Sequence, residues 1–338
     1  MGASEAIVAV LGAGSWGTAL AIQLSRHGHR TVLWCRDPEQ RDDMRRQRRN
    51  RRFFPDIQLP EELRVAESLE SAVVGADFVV IVVPSAAFNG VTQRVATYLR
   101  PGQGLAWACK GFEPGTGRFL HQAAADCVPP ETPMAVVTGP SFAREVVMNL
   151  PTAITVAGND PTFTKRLAVA LHAGNFRAYT SDDMAGAELG GAVKNVLAIG
   201  TGIADGLGLG DNARAALVTR GLAEMMRLGG ALGARPETLM GLPGLGDLVL
   251  TCTGDESRNR RLGLAIGRGE DMGAALAEIG QVVEGVMTAA EVVRLAGQYQ
   301  VSMPISEQVN GILHLGWDPG ESVRRLLARE QKAEHDAD

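Results

Sequence analysis

The stretch Gly12-Ala13-Gly14-Ser15-Trp16-Gly17 follows the apolar run Ile7 to Leu11 and opens a helical pattern. Its spacing, G-x-G-x-x-G between a strand and a helix, is typical of the first turn of a dinucleotide-binding βαβ unit. The first glycine makes the tight turn, the second lets the backbone approach a pyrophosphate, and the third lets helix and strand pack closely. The helix N-terminus adds unpaired N–H groups and a positive dipole end. The stretch therefore predicts a phosphate cradle for a dinucleotide cofactor.

Outward from this stretch, short apolar runs alternate with helical stretches from residue 6 to about 180. The predicted strands are Ile7–Leu11, Thr31–Cys35, Phe78–Val83, Leu105–Cys109, Met134–Thr138, Ala153–Ala157 and Phe176–Tyr179. Thr18–His27 and Phe88–Leu99 are predicted helices between them. Nearly continuous apolar strands are typical of a parallel sheet covered on both faces. The alternation predicts an α/β, Rossmann-type doubly wound sheet.

The strand pattern stops after Ser181, and only helical patterns follow. The predicted helices are Met184–Ile199, Asn212–Leu228, Arg260–Ile266, Met272–Ile279, Val286–Leu295 and Ser306–Leu313. A chain of 338 residues is longer than one core usually organises. We therefore expect a dinucleotide-binding domain over residues 1–180 and an all-α substrate-binding and catalytic domain over residues 181–338.

Composition and charge exclude several classes of protein. The formal net charge of −5 argues against a nucleic-acid or membrane partner. Seven arginines between Arg41 and Arg52 are interpreted as a solvated helical face, with one or two of them helping to bind cofactor phosphates. No apolar run approaches a membrane span, and the N-terminus lacks the pattern of a secretion signal. The four cysteines lie far apart with no CxxC pair, which argues against a structural zinc site and a disulfide framework, and a cytoplasmic location is expected.

The end of the second predicted strand bears on cofactor preference. An NAD site usually has an acidic residue there to hold the ribose 2′-hydroxyl, whereas this chain has Arg36, followed by Asp37. Arginine suits the 2′-phosphate of NADP. The alternative is a solvated arginine, and Asp37 keeps NAD possible.

Lys194 is the only charged residue between Gly190 and Gly200. Gly190 and Gly191 precede it by one helical turn, so they are expected to leave space for a ligand beside its ammonium group. Burial lowers the pKa of lysine toward catalytic use. The alternative is a lysine whose ammonium group reaches solvent from a helix–helix seam.

Other candidates follow strands or glycine-rich turns. Lys110 follows the fourth predicted strand and Gly139-Pro140-Ser141-Phe142-Ala143 the fifth, at the edge where doubly wound sheets bind ligands. Asp247 ends the turn Gly241–Gly246, and Ser257-Arg258-Asn259 is a set suited to a phosphate. A helix cap at Asp247 and a surface helix start at Ser257 are equally good interpretations of these residues.

Seven motifs occur in one order along nearly the whole chain. They are Gly12-Ala13-Gly14-Ser15-Trp16-Gly17-Thr18-Ala19, Val82-Val83-Pro84-Ser85, Lys110-Gly111, Gly139-Pro140-Ser141-Phe142-Ala143, Lys194-Asn195, Gly244-Leu245-Gly246-Asp247-Leu248 and Ser257-Arg258-Asn259. Together they resemble the bacterial branch of the NAD(P)-dependent glycerol-3-phosphate dehydrogenase family. The resemblance implies reversible reduction of dihydroxyacetone phosphate to sn-glycerol 3-phosphate, with NADPH/NADP or NADH/NAD, for glycerophospholipid synthesis.

The resemblance also implies roles for single residues. Residues implied at the cofactor, with the three cradle glycines Gly12, Gly14 and Gly17, are Ser15, Trp16, Arg36, Lys110, Ala143, Arg258 and Glu284. Residues implied at the substrate are Lys110, Gly139, Ser141, Lys194, Asp247, Ser257, Arg258 and Asn259. Lys194 matches the proton donor or acceptor, Lys110 adds positive potential, and Asp247 holds the lysine or accepts a substrate hydroxyl. No metal is expected, and a homodimer is the default assembly.

Two other functions remain open at this point. A related two-domain dehydrogenase acting on a hydroxy acid would share the glycine fingerprint and a helical-domain lysine. It would not obviously need Ser257, Arg258 and Asn259 together. A non-catalytic NAD(P) sensor would keep the fold, but Lys110, Lys194 and Asp247 count against it.

Overall fold

The computed structural model describes residues 6–330. The strands are β1 Ile7–Leu11, β2 Arg30–Trp34, β3 Arg64–Val65, β4 Phe78–Ile81, β5 Gly104–Trp107, β6 Met134–Thr138, β7 Thr152–Gly158 and β8 Phe176–Ser181. The helices are α1 Ser15–Arg26, α2 Pro38–Gln47, α3 Leu69–Val73, α4 Ser85–Ala96, α5 Leu120–Ala125, α6 Ala143–Val147, α7 Pro161–Leu171, α8 Met184–Gly206, α9 Gly210–Ala231, α10 Pro236–Leu239, α11 Asp247–Thr253, α12 Arg258–Gly267, α13 Met272–Ile279, α14 Glu284–Gln298, α15 Pro304–Leu315 and α16 Pro319–Leu327. A π-helical turn, Leu242–Gly246, lies between α10 and α11.

The strands form one sheet in the order β3-β2-β1-β4-β5-β6-β7-β8. The predicted α/β sheet with a following helical region is confirmed, and each predicted strand lies within two residues of its observed bounds. One strand departs from the parallel arrangement: β7 runs antiparallel to β6, with Ala135 opposite Gly158. Burial on both faces makes a strand apolar whichever way it runs, so composition does not report its direction. The two-residue β3 was not predicted because it is too short to make a pattern.

The chain forms two compact units. Among the described residues, the first contains 6–109 together with Leu120–Met184, and the second contains Lys110–Phe119 together with 185–330. The division expected at residue 180 places Lys110–Phe119 in the first domain, whereas in the structure this segment packs with the second unit. Phe112 and Phe119 explain its position, because both are buried in the helical core with ring centroids 5.7 Å apart.

Each unit has its own apolar core. In the first unit, β1 and β4 are almost completely buried, and Leu20 and Leu24 of α1 belong to the core that covers the sheet. In the second unit, α8 supplies much of the core over its 23 residues. Across residues 6–330, no helix combines the length and apolarity needed to cross a membrane.

Candidate active site

The glycine-rich turn has the geometry expected of a phosphate cradle. Gly12 has φ +130°, and a Cβ there would lie 2.1 Å from the backbone oxygen of Val82. A Cβ at Gly17 would lie 1.9 Å from the backbone oxygen of Gly12. Both positions therefore need glycine for the turn itself.

Gly14 differs from the other two glycines, because a Cβ there would meet no atom within 4 Å. The open side of Gly14 lies at the start of α1, whose N-terminal residue is Ser15. Nearby, the Nε1 atom of Trp16 is buried and has no hydrogen-bond partner among the described residues. Open space beside backbone N–H groups at a helix N-terminus fits the pyrophosphate of a dinucleotide.

The residues after β2 have distinct surroundings. Arg36 is exposed. The Asp37 carboxylate instead caps α2 by accepting hydrogen bonds from the backbone N–H groups of Glu39, at 3.0 Å, and Gln40, at 3.4 Å. Asp37 thus serves a helix cap, and the contact of Arg36 with the cofactor stays a prediction.

Most of the arginines between Arg41 and Arg52 make contacts within the first unit. Three form ion pairs, namely Arg41 with Asp42, Arg45 with Glu67 and Arg51 with Asp43. Arg48 and Arg49 donate to backbone carbonyls, including those of Leu63 and Pro55. The segment is therefore more than the solvated face that was predicted, because it ties α2 to the loop that follows it.

The second unit holds a cluster of three charged side chains. The Lys194 ammonium lies 2.5 Å from Oδ1 of Asp247, and the Lys110 ammonium lies 2.7 Å from Oδ2 of the same carboxylate. Lys194 also donates to Oγ1 of Thr251 at 2.8 Å. Side-chain exposure is 7% for Lys194, 1% for Asp247 and 19% for Lys110. We call Lys110, Lys194, Asp247 and Thr251 the lysine–aspartate cluster.

The electrostatics of this cluster follow from its composition. Burial lowers the pKa of Lys194 to about 7; the Lys110 ammonium adds to this effect and the Asp247 carboxylate opposes it. Burial by itself would raise the pKa of Asp247, but the two ammonium groups outweigh it and hold that pKa below its ordinary value. Two cations facing one anion leave an excess positive charge at a site with little water. Such a site can stabilise an oxyanion and exchange a proton with it near neutral pH.

The sequence interpretation of Gly190 was wrong. A Cβ at Gly190 would lie 2.4 Å from the backbone oxygen of Pro243, so this position lets α8 contact the π-helical turn rather than a ligand. That turn leads directly into α11, whose first residue is Asp247. The close approach therefore brings the carboxylate to Lys194, one turn along α8.

Asp247 is not a helix cap, although it lies in the first turn of α11, because its carboxylate oxygens bind the two lysines. Ser257 does begin a helix, as one interpretation held: its Oγ accepts from the N–H of Arg260 and caps α12. This helix start is not at the surface, however, since Ser257 is only 3% exposed.

Asn259 and Arg258 lie in the first turn of α12. Nδ2 of Asn259 donates to Oδ1 of Asn195 at 2.9 Å, and its Oδ1 accepts from the N–H of Gly285 at 2.9 Å. Arg258 donates to the carbonyl of Val282 at 2.8 Å. Burial lowers the pKa of the Arg258 guanidinium, and the charge of nearby Glu284 opposes this. The structure thus brings the charges of Arg258 and Glu284 close enough to interact. It also joins Asn259 by a hydrogen bond to Asn195, the residue after Lys194.

The remaining predicted residues lie in the first unit. Gly139 follows β6 with φ +132°, where a side chain would be strained. The hydroxyl of Ser141 donates to the Gly139 carbonyl at 2.9 Å, and Ala143 begins α6. Their assignments to substrate and cofactor stay predictions.

Sequence reasoning missed Thr251 and gave Asn195 no role of its own. Thr251 follows Asp247 by one helical turn, so a hydroxyl four residues after a candidate acid was the available signal. Asn195 directly follows Lys194, but only the folded chain shows its contact with Asn259.

Fold and site together define a two-unit dinucleotide-dependent oxidoreductase, and comparisons with known proteins give its family. The family models described as NAD-dependent glycerol-3-phosphate dehydrogenase N-terminus and C-terminus match residues 7–164 and 183–324. A glycerol-3-phosphate dehydrogenase [NAD(P)+] of Stenotrophomonas maltophilia is 60% identical over 329 residues, 97% of this chain and 96% of the relative. One from Xanthomonas campestris pv. campestris is 58% identical over 328 residues, with the same two coverages.

A solved structure agrees with these relatives. The crystal structure of glycerol-3-phosphate dehydrogenase from Coxiella burnetii has a TM-score of 0.93 and 47% identity, covering 96% of this chain and 99% of that one. The chain belongs to the NAD-dependent glycerol-3-phosphate dehydrogenase family.

Proposed function

We propose that this protein is an NAD(P)-dependent sn-glycerol-3-phosphate dehydrogenase that interconverts dihydroxyacetone phosphate and sn-glycerol 3-phosphate. The observation that carries the proposal is the lysine–aspartate cluster, two lysines on one buried carboxylate with the pKa of Lys194 lowered by burial to about 7, in a chain of this family. The family's reaction reduces a ketone, and ketone reduction places negative charge and then a proton on the carbonyl oxygen.

The chain's own residues supply the acid–base part of that reaction. The bound nicotinamide supplies or takes up the hydride. In the reductive direction, Lys194 donates its proton to the carbonyl oxygen of the substrate, and Lys110 adds positive potential there. Asp247 and Thr251 hold the Lys194 ammonium by hydrogen bonds of 2.5 and 2.8 Å. A pKa of about 7 lets Lys194 give up the proton and take it back, which suits a reversible reaction.

Arg258 and the residues beside it are proposed to hold the substrate phosphate. Arg258 carries the positive charge that a phosphate needs, and Ser257 and Asn259 flank it at the start of α12. The amide of Asn259 already makes one hydrogen bond through Nδ2 and one through Oδ1. The second hydrogen on Nδ2 is therefore the donor available to a ligand. Anchoring the phosphate orients the ketone carbon for attack.

Both cofactor forms fit the proposal. The open side of Gly14 accommodates a pyrophosphate, and Ser15, Trp16 and Ala143 are proposed as further cofactor contacts in the first unit. Exposed Arg36 favours the 2′-phosphate of NADP, whereas NAD lacks that group. Supply of sn-glycerol 3-phosphate for glycerophospholipid synthesis is the proposed cellular role.

We also propose a homodimer in the cytoplasm. Cyclic dimers are the commonest assembly among soluble homo-oligomers, and the second unit exposes several large apolar side chains, including Met240 and Val282. Substrate and cofactor both carry phosphates and are therefore retained inside the cell. Sedimentation analysis of the purified protein would measure the assembly directly, and a monomer at micromolar concentration would contradict the dimer.

The deciding experiment follows NADPH absorbance with the purified protein and a panel of substrates. We expect oxidation with dihydroxyacetone phosphate, and at least about a hundredfold lower kcat/KM with dihydroxyacetone, which lacks the phosphate, or with a 2-keto acid. Preference for the keto acid would establish the hydroxy-acid alternative. NADPH binding without turnover of any substrate would establish the sensor alternative.

A further inference from the structure

The carbonyl of Ala13, in the middle of the glycine-rich turn, accepts two side-chain hydrogen bonds. Nδ2 of Asn50 donates to it at 3.0 Å, and Nε2 of Gln40 donates to it at 2.9 Å. The two amides also bond to each other, Gln40 Nε2 to Asn50 Oδ1 at 3.1 Å. Asn50 further donates to Oγ1 of Thr18 in α1 at 2.8 Å. A single amide pair thus connects the turn with the helix that follows it.

One member of this amide pair is buried and the other is half-buried. Asn50 is completely buried, and its own carbonyl accepts from the N–H groups of Phe53 and Phe54. Phe54 is anchored in the core of the first unit. Buried amides that satisfy one another in a chain are costly to disrupt, because each lost bond leaves an unpaired polar atom.

The hydrogen bonds to the Ala13 carbonyl also set the orientation of the Gly14 N–H, because both groups belong to the same peptide. In a trans peptide, the C=O of one residue and the N–H of the next point to opposite sides of the chain. Two donors that hold the Ala13 carbonyl inward therefore direct the Gly14 N–H outward. Gly14 is the one cradle glycine with open space beside it, where a pyrophosphate is expected to bind.

We propose that Asn50 and Gln40 are positioning residues for the cofactor: they orient the Ala13–Gly14 peptide so that the Gly14 N–H faces the dinucleotide pyrophosphate before it binds. The inference rests on the proposed cofactor site and extends it to two residues outside the glycine fingerprint. Preorganisation of this kind raises affinity because the turn does not have to be ordered on binding. It acts on cofactor binding and leaves proton transfer at Lys194 untouched.

The test compares Asn50→Ala and Gln40→Leu with a matched control, Asn159→Ala. Asn159 also makes a structural hydrogen bond in the first unit, where its Oδ1 accepts from the N–H of Met134 at 2.7 Å, but at the amino-terminal end of β6. NADP affinity is measured by calorimetry without substrate, and exchange of backbone amides over residues 12–18 is measured in the cofactor-free protein. Steady-state kinetics then separate KM for NADPH from kcat.

We expect Asn50→Ala to weaken NADP binding and raise KM for NADPH about 10- to 100-fold, with kcat at saturating NADPH changed less than about threefold. Amide exchange over residues 12–18 is expected to be faster than in the native protein. Gln40→Leu removes one of the two donors from a half-buried position, so about a 3- to 10-fold loss of affinity is expected in a variant that folds. The control is expected to lose stability without losing NADP affinity.

Unchanged NADP affinity in Gln40→Leu and in folded Asn50→Ala would overturn the inference and leave the amide pair with a structural role only. If Asn50→Ala does not fold, the NADP affinity of Gln40→Leu alone tests the inference, and an unchanged affinity would overturn it. Equal losses of affinity in Asn159→Ala would also overturn it, since general destabilisation would then explain the effect. Failure of the native protein to bind NADP would instead count against the proposed function.

Discussion

The two candidate binding regions of this protein are built from different parts of the chain. The cradle in the first unit is made of backbone, supplied by one continuous stretch from Gly12 to Gly17. The lysine–aspartate cluster in the second unit is made of side chains that lie up to 141 positions apart, from Lys110 to Thr251. The first is proposed to bind through N–H groups whose direction the turn sets, and the second to act through charges whose spacing the packing sets.

This difference decides how each region responds to change. A cradle made of backbone fails when an added side chain fills the ligand's space or distorts the turn. A cluster made of charges fails when one partner is removed and another is left buried without compensation. Substitutions in the two regions should therefore separate cofactor binding from proton transfer.

The largest effect is expected in the second unit, from Lys194→Met. Methionine retains most of the side-chain volume but cannot transfer a proton, so kcat for dihydroxyacetone phosphate reduction should fall about 1,000-fold. Asp247 keeps Lys110 as its partner, so the variant should still fold. Stopped-flow or steady-state NADPH oxidation measures the loss. Lys165→Met, at an exposed lysine of the first unit, is the control, and a loss below about tenfold in Lys194→Met would place the proton donor elsewhere.

A smaller effect, on cofactor affinity rather than on kcat, is expected from substitutions in the cradle. Gly14→Ala should leave the melting temperature nearly unchanged, because the new methyl group meets no atom within 4 Å, yet weaken NADPH binding about 10- to 100-fold. Gly17→Ala is the contrasting variant: its Cβ would lie 1.9 Å from a backbone oxygen, so a loss of about 1–3 kcal/mol in stability is expected. Calorimetric titration and thermal melting measure the two quantities. Equal melting temperatures for both variants would contradict the assignment of these glycines.

Arg36→Gln sharpens the comparison within the cofactor site. Removing an exposed cation should weaken NADPH about tenfold and leave NADH nearly unchanged, since only NADPH carries the 2′-phosphate. The ratio of kcat/KM for the two cofactors measures the change. Arg46→Gln, another exposed arginine of the first unit, is the control. A parallel fall for NADH and NADPH would show that Arg36 does not distinguish the cofactors.

The smallest effect is a displacement of the pH profile. In the proposed mechanism reduction needs protonated Lys194, so its kcat/KM should fall as the pH rises through about 7, while kcat/KM for oxidation should rise over the same range. The Lys110 ammonium lowers the pKa of Lys194. Lys110→Met should therefore raise that pKa and move both the fall in reduction and the rise in oxidation to higher pH. The substrate phosphate titrates identically in native and variant assays and serves as an internal reference. A kcat/KM profile whose midpoint stays at the same pH, or moves to lower pH, would contradict the coupling of the two lysines.

Much of the fold was predictable because its signals are local. The strand–turn–helix around Gly12 and the switch to helical patterns after Ser181 need only neighbouring residues to be recognised, and the structure confirms both. The antiparallel direction of β7 and the packing of Lys110–Phe119 with the second unit were not predictable. Both depend on which distant surface an apolar segment packs against. The apolar composition of the segment is the same whichever surface that is, so it does not predict the packing.

The candidate residues divide in the same way. The sequence predicted Lys110, Lys194 and Asp247 as site residues, and their pairing appears only in the folded chain. Gly190 shows the limit most clearly. Its small size was attributed to ligand space, but the structure uses it for the contact between α8 and the turn before α11.

By itself, the sequence determined the sheet with its phosphate cradle, the helical second half, and the identity of the charged groups. These depend on backbone preferences and on chemistry that neighbouring residues carry. Only the tertiary structure decided that one carboxylate lies between two lysines, and that Asn50 and Gln40 hold the cradle. Each of these is a contact between distant segments, and its geometry depends on how whole helices and strands pack, because van der Waals and hydrogen-bond contacts are fixed only when all packing surfaces are in place.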